Sequence, residues 1–342
     1  MLRPDQPLAV FMNGFLGDRH GKMGYGVLRF SPNPVVCVID PRHAGKTVCD
    51  VVRMPRNAPV VASVEEARAL GAEALVLGVA PSGGLLPQSW LEQLDAAVRL
   101  GMSIVNGLHD VLAPRYPTLQ PGQFVWDIRR EPPGLGVGSG QARLLPNRRV
   151  LMVGTDMACG KMTAGLLLVR EARARGVRAD FVATGQIGIT VWGKGVPLDA
   201  VKIDYACGAI EKAVMDAADQ ELVVVEGQGS ILHPGSSATL PLIRGSCPTH
   251  LVLCHRAGMG TVAKHSWVRI PPLDQVARLY EAVTGAAGAL PAAVTLGIAL
   301  NTELLDEAQA QDAVATARQQ TGLPATDAVR FGVGPLLDAL GY

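Results

Sequence analysis

The sequence has almost no excess of charge of either sign. Lysine and arginine number 31 against 30 aspartates and glutamates, for a net charge of +1. No summed field draws in a polyanion, so nucleic acid is not an expected partner. Paired cysteines are also missing. Cys37, Cys49, Cys159, Cys207, Cys247 and Cys254 are scattered, with no CxxC pair and no close group of histidines to complete a zinc site. That excludes the common structural metal frameworks and fits reduced cytosolic thiols; no metal is expected. No apolar run approaches the length of a membrane-crossing helix. The opening MLRPDQPLAVFMNGFLGD carries proline and acidic residues where a signal peptide needs an unbroken apolar stretch. A cytoplasmic protein without a membrane partner is therefore expected. There is no internal repeat and no low-complexity tail. The apolar share, 48%, is ordinary for a globular chain and leaves a homo-oligomer open.

What is present is an alternation. A chain of 342 residues is too long for one comfortable core, and two domains of roughly 150 residues or more are expected. Short apolar runs ending at Gly, Asp or Asn are each followed by an amphipathic segment of helix length, the pattern of a parallel α/β sheet. In the first series, Val35–Ile39 ends at Asp40, Ala74–Val79 runs into Pro81-Ser-Gly-Gly84, and Ser103–Asn106 follows a helix over 87–100. That is a Rossmann-like pattern. The Pro- and Gly-rich stretch Glu131–Gly140 suits a linker. A Rossmann-like domain over 1–145 is then followed, over 146–342, by a P-loop NTPase-like three-layer α/β/α domain with a mostly parallel sheet. Its strands are expected at 149–153 and near 178–183, 221–226, 249–254 and 293–300.

The clearest chemical signal is the run Gly154, Thr155, Asp156, Met157, Ala158, Cys159, Gly160, Lys161, Met162, Thr163. It follows an apolar strand and precedes a helical run, as a phosphate loop must. Successive backbone amides and the open donors of a helix start face an anion, and Lys161 adds a point charge. The spacing departs from G-x4-G-K-[ST]: five residues separate Gly154 from Gly160, and Met162 stands where a magnesium-holding hydroxyl is usual. Thr163, one residue on, is rotated by about 100° around the helix. Phosphate binding is expected, and nucleotide hydrolysis much less so. Cys159, at a helix start, is expected to be a small packed residue rather than a covalent nucleophile.

Ligands of doubly wound sheets bind at the carboxyl ends of the strands, so the ends of the other strands supply the remaining candidates. Glu226 is read as a general base or magnesium ligand, or else as a salt-bridge partner of Lys161. Gly227, Gln228, Gly229 and Ser230 offer backbone amides to a substrate or developing oxyanion. His233 is a second candidate base, or a satisfied loop histidine. Thr184, Gly185 and Gln186 suit a polar ligand or an ordinary tight turn. Asp204 is either a second carboxylate of the site or a helix N-cap. His255 and Arg256 are candidates for holding a carboxylate, or a surface pair. In the first half, Asn13–Gly17, Lys22–Gly26, Pro81–Gly84, Arg42 and His43 give only weak signals.

Gly154-Thr-Asp at the head of a G-x5-G-K loop, with an EGxG turn after a later strand, resembles the dethiobiotin synthetase and cobyrinic acid amidase branch of P-loop proteins. The longer combination GTDMACGKMT, ATGQIGI and EGQGSILHP, behind a Rossmann-like half, is similar to the DgcN-type D-glutamate N-acetyltransferase family over nearly the whole chain. The resemblance implies acetyl transfer from acetyl-CoA, as co-substrate, to the amino group of a D-amino acid. The matching positions are Gly154 to Thr163, Thr184 to Gln186, and Glu226 to His233. Three readings follow. In the first, acetyl-CoA phosphates sit on the P-loop and Lys161, Glu226 or His233 takes a proton from the acceptor amine, and Gln186 and Arg256 orient its carboxylates. In the second, an ATP- and magnesium-dependent ligase or kinase uses Asp204 and Glu226 to hold the metal. In the third, the protein is a non-catalytic nucleotide or coenzyme A sensor.

Overall fold

The computed structural model describes residues 2–79 and 86–342; the Pro81–Gly84 stretch lies outside them. Two compact units are formed, one from Met1–Arg130 with Gln186–Ala200, the other from Glu131–Gly185 with Val201–Tyr342.

In the first unit, strands β1 (Leu8–Phe11), β2 (Val35–Ile39), β3 (Val60–Val61), β4 (Ala74–Leu77), β5 (Ser103–Asn106) and β6 (Val125–Asp127) lie in the order β3-β2-β1-β4-β5-β6, every pairing parallel. This is the Rossmann order. β1 and β4 are buried throughout, which is why they read as unbroken apolar runs rather than as alternations. Helices α1 (Lys22–Phe30), α2 (Val64–Ala69) and α3 (Leu91–Arg99) serve this sheet. Ser63 caps α2 by accepting from Glu66 N–H. The core gathers Phe11, Ile39, Leu75, Leu94 and Ile104 around Trp90, which meets Phe11 edge-on at 5.4 Å. Asp40, at the end of β2, accepts from the amides of Leu16 (2.8 Å) and Arg42 (3.0 Å). Its carboxylate holds the loop after β1 in place. The unit also includes α5 (Gln186–Trp192), and a Cβ on Gly26 of α1 would fall 2.2 Å from Ile187 Cγ2.

The second unit carries β7 (Arg148–Gly154), β8 (Ala179–Val182), β9 (Leu222–Val225), β10 (His250–Arg256), β13 (Val294–Asn301) and β14 (Ala325–Asp327) in one parallel sheet, ordered β14-β13-β10-β7-β9-β8. An antiparallel hairpin, β11 (Thr261–Val262) with β12 (His265–Arg269), follows β10. The helices are α4 (Lys161–Ala174), α6 (Ile203–Met215), α7 (Thr239–Ser246), α8 (Leu273–Gly285), α9 (Glu307–Thr321) and α10 (Gly334–Ala339). Of these, α4 packs with α10, α6 with α7 and α8 with α9. β7 lies between β9 and β10, so the loops leaving those two strands open beside the loop leaving β7. The Pro- and Gly-rich stretch before β7 belongs to this unit, where the Glu211 carboxylate of α6 accepts from the amides of Ser139 and Gln141.

Candidate functional site

The P-loop takes its shape from two residues with left-handed backbone. Ala158 has φ 52° and Gly160 has φ 105°; the second value is one that side chains rarely tolerate, which places a glycine immediately before α4. The first helical bond of α4 runs from Ala164 N–H to Gly160 O, 2.9 Å. The amides of Lys161, Met162 and Thr163 precede it. Together with those of Ala158, Cys159 and Gly160 they have no protein acceptor among the described residues. Six donors around one turn at the positive end of a helix make an anion cradle.

The loop is braced from four sides. Thr155 N–H donates to Cys254 O on β10, 3.1 Å, and Thr155 Oγ1 lies 2.9 Å from His255 Nδ1. Burial lowers the His255 pKa to about 4, so this partner is neutral near pH 7. Asp156 is buried, and its carboxylate accepts from Met157 N–H (2.6 Å) and from Ala263 N–H of the β11–β12 hairpin (2.7 Å). Arg256 Nη2 donates to Ala158 O at 3.0 Å, which sets a guanidinium at the outer edge of the loop. Lys161 is buried; its ammonium donates to Asp156 O at 2.7 Å and lies 3.5 Å from Cys159 Sγ. Cys159 is itself buried and donates to Asp156 O at 3.2 Å. Met162 presents no oxygen, and Thr163, half-buried on α4, makes no hydroxyl bond among the described residues.

Glu226 follows β9. Its Oε2 accepts from Thr184 N–H (2.8 Å) and Gly185 N–H (3.0 Å), while Thr184 Oγ1 donates back to Glu226 O (2.9 Å). Gln228 Nε2 also donates to Thr184 O. The loops after β8 and β9 are thereby fastened together. The carboxyl is buried, and burial raises its pKa to about 7, against the lowering pull of the two amides and of Lys161. The salt bridge to Lys161 is not formed among the described residues. Gln186, next along the chain, opens α5 and belongs to the first unit.

Gly227 is enforced by contact: a Cβ there would lie 1.6 Å from Met152 O of β7. Gly229 has φ 67°, and Ser230 is buried with its amide donating to Ser236 Oγ, 3.1 Å. His233 Nδ1 accepts from Gly235 N–H at 3.0 Å, so a neutral ring keeps its proton on Nε2 and has no free lone pair for base work. Its ring stands edge-on to His265 of β12 at 4.9 Å. Asp204 is exposed in the first turn of α6.

Two participants carry no motif. Tyr280 of α8 is buried; its hydroxyl donates to Gly154 O (2.8 Å) and accepts from Ile231 N–H (3.0 Å), joining the P-loop to the loop after β9. The other is the hairpin anchored on Asp156. Tyr280→Phe is expected to lower stability by about 1–2 kcal/mol, because the buried Gly154 carbonyl and the Ile231 amide lose their shared partner; denaturant unfolding followed by fluorescence measures it.

No helix among the described residues is long and apolar enough to cross a membrane, and none of their His, Cys, Asp and Glu side chains group into a three-ligand metal site. Residues 136–337 match a family model described as the DUF1611_C P-loop domain, and residues 41–131 one described as the DUF1611_N Rossmann-like domain. A protein from Tritonibacter scottomollicae named D-glutamate N-acetyltransferase is 36% identical, over 81% of this chain and 84% of its own. A Pseudoalteromonas protein of the same name is 34% identical, over 80% and 83%. A crystal structure of a DUF1611 family protein from Anabaena variabilis is 49% identical and superposes with a TM-score of 0.94, covering 98% of this chain and 99% of that one. The chain belongs to the DUF1611 family, in which a Rossmann-like and a P-loop domain are joined and whose named relatives here are N-acetyltransferases.

Proposed function

We propose that this protein is an N-acetyltransferase that moves the acetyl group of acetyl-CoA to the amino group of a D-amino acid, with D-glutamate the first candidate. The names of its relatives supply the reaction class. The observation that carries the reading to this chain is the P-loop itself, a ring of unpaired amides with a lysine and no hydroxyl after that lysine. Such a cradle suits a diphosphate that is held but not cleaved, because anchoring needs charge and donors rather than in-line attack on phosphorus.

In the reaction a bond forms between the amine nitrogen and the acyl carbon, the carbon–sulfur bond breaks, and the thiolate leaves. An ammonium has no lone pair, so the amine must lose a proton first or during attack. Glu226 takes it: a buried carboxyl with a pKa of about 7 is poised for base work at neutral pH. Amides from Gly227 to Gly229 meet the developing oxyanion, while that of Ser230 is held by Ser236 Oγ. Arg256, at the edge of the P-loop, offers a fork for an acceptor carboxylate. Lys161 neutralises phosphate charge.

The test is release of free coenzyme A, followed with a thiol reagent, from acetyl-CoA and a panel of D- and L-amino acids. The expected result is thiol release with a D-amino acid, unaffected by EDTA and independent of ATP. Turnover that requires ATP and stops with EDTA would instead place the protein with the ligases and kinases.

A further inference from the structure

The hairpin after β10 is where the chain presents its most exposed aromatic surface. Aromatic residues make up only 4% of the sequence, and among the described residues Trp267 is the single large aromatic side chain left open, 75% exposed. The pairing of β12 with β11 is irregular between Thr261 and Val262, and the bulged segment turns Trp267 outward, with Arg269 two residues on. His265 stands edge-on to Trp267 at 6.3 Å and to His233 at 4.9 Å. The aromatic row therefore starts in the loop after β9 and ends on the open indole. At its turn the hairpin is fastened to the P-loop by Ala263 N–H on Asp156.

Charge marks the same stretch of chain. From Gly227 to Leu273 the chain carries no aspartate or glutamate, yet it contains Arg244, Arg256, Lys264 and Arg269. Lys264 and Arg269 are exposed, and neither has a carboxylate partner among the described residues. An open indole with a guanidinium two residues along the chain suits a flat heteroaromatic base that carries a phosphate close by.

Resting on the acetyl-CoA reading above, we infer that the β11–β12 hairpin is the seat of the adenosine 3′-phosphate end of coenzyme A: the adenine stacks on Trp267, and Arg269, two residues on, meets the 3′-phosphate. The P-loop takes the diphosphate next to it. Coenzyme A is then recognised by two separate elements of the second unit, one reading charge along the backbone and one reading the base.

Calorimetric titration of the full chain with coenzyme A and with 3′-dephospho-coenzyme A tests this. Trp267→Ala is expected to weaken coenzyme A binding by about tenfold, near 1.4 kcal/mol, and Trp267→Phe to restore most of it. Arg269→Ala is expected to remove the preference for coenzyme A over its dephospho form. In steady state the Trp267→Ala loss is expected in the KM for acetyl-CoA, with the KM for the amino acid unmoved. Unchanged coenzyme A affinity in Trp267→Ala overturns the inference and leaves the acetyltransferase reading standing. So does a drop in oligomeric mass of that variant in sedimentation, which would show a second copy of the chain covering the indole. No coenzyme A binding by the wild-type chain removes both.

Discussion

Gly227→Ala is expected to cost about 4 kcal/mol or more of stability, enough to leave most of the chain insoluble, since native proteins hold only about 5–15 kcal/mol in all. The added methyl would sit 1.6 Å from Met152 O and 2.9 Å from Lys161 Cδ. Lysine methylenes can swing aside, but Met152 lies inside β7, paired on one side to β9 and on the other to β10. Relief requires the loop after β9 to lift away from the strand, which breaks the bonds of Glu226 and Gln228 to the Thr184 loop. Gly160→Ala makes the instructive contrast. There the new Cβ would find only Asn301 Cβ, at 3.8 Å, and the cost is the left-handed backbone alone, about 1–2 kcal/mol. Soluble yield and the thermal midpoint of the two variants measure the difference; equal behaviour would contradict the close approach at Gly227.

The second large effect concerns Glu226→Gln, for which kcat is expected to fall by about 10²–10⁴ with the protein still folded. The same substitution separates two pH dependences of opposite sign. Catalysis needs the ionised carboxylate, so wild-type kcat/KM rises with pH through about 7 and then levels. Stability moves the other way. The folded pKa, about 7, lies above the ordinary 4.5, so between those values the native state holds a proton that the unfolded chain has released. Glu226 therefore contributes fully below pH 4.5 and loses that contribution as pH climbs to about 7, a fall of roughly 3 kcal/mol over the window. The glutamine variant is expected to lack both slopes. Activity profiles and urea midpoints from about pH 5 to about pH 9 check it, and a Glu226→Gln variant that keeps the wild-type rate would move the base elsewhere.

Much of the architecture was legible because its elements repeat a simple physical contrast. Strands buried on both faces read as apolar runs, and β2, β4, β5, β7 and β9 announced themselves in this way. β1, β3, β6 and β14 did not. β3 has two residues and β6 and β14 three each, too short for any periodicity, and β1 sits in a stretch whose proline and acidic residues spoke chiefly against a signal peptide. The P-loop was readable from spacing, since amide cradles depend on where glycines fall. Tyr280 was not, because a tyrosine on an amphipathic helix looks like core until the chain brings it to Gly154, 126 residues away. The same holds for the hairpin: only the fold places β12 against His233. The sequence offered Glu226 as base, magnesium ligand or partner of Lys161, and the two backbone amides of Thr184 and Gly185 that its carboxylate accepts are specified by no motif.

Residues 186–200 return to the first unit after the P-loop, α4 and β8 have already been laid down. As the polypeptide leaves the ribosome, the Rossmann-like sheet therefore emerges complete in its strands yet short of one helix, and it waits for that helix until the P-loop half is partly synthesised. No single cut divides this protein into two self-sufficient pieces: a truncation after Arg130 leaves Gly26 of α1 without the isoleucine it packs on, and a fragment beginning at Glu131 carries a stray segment whose home is missing.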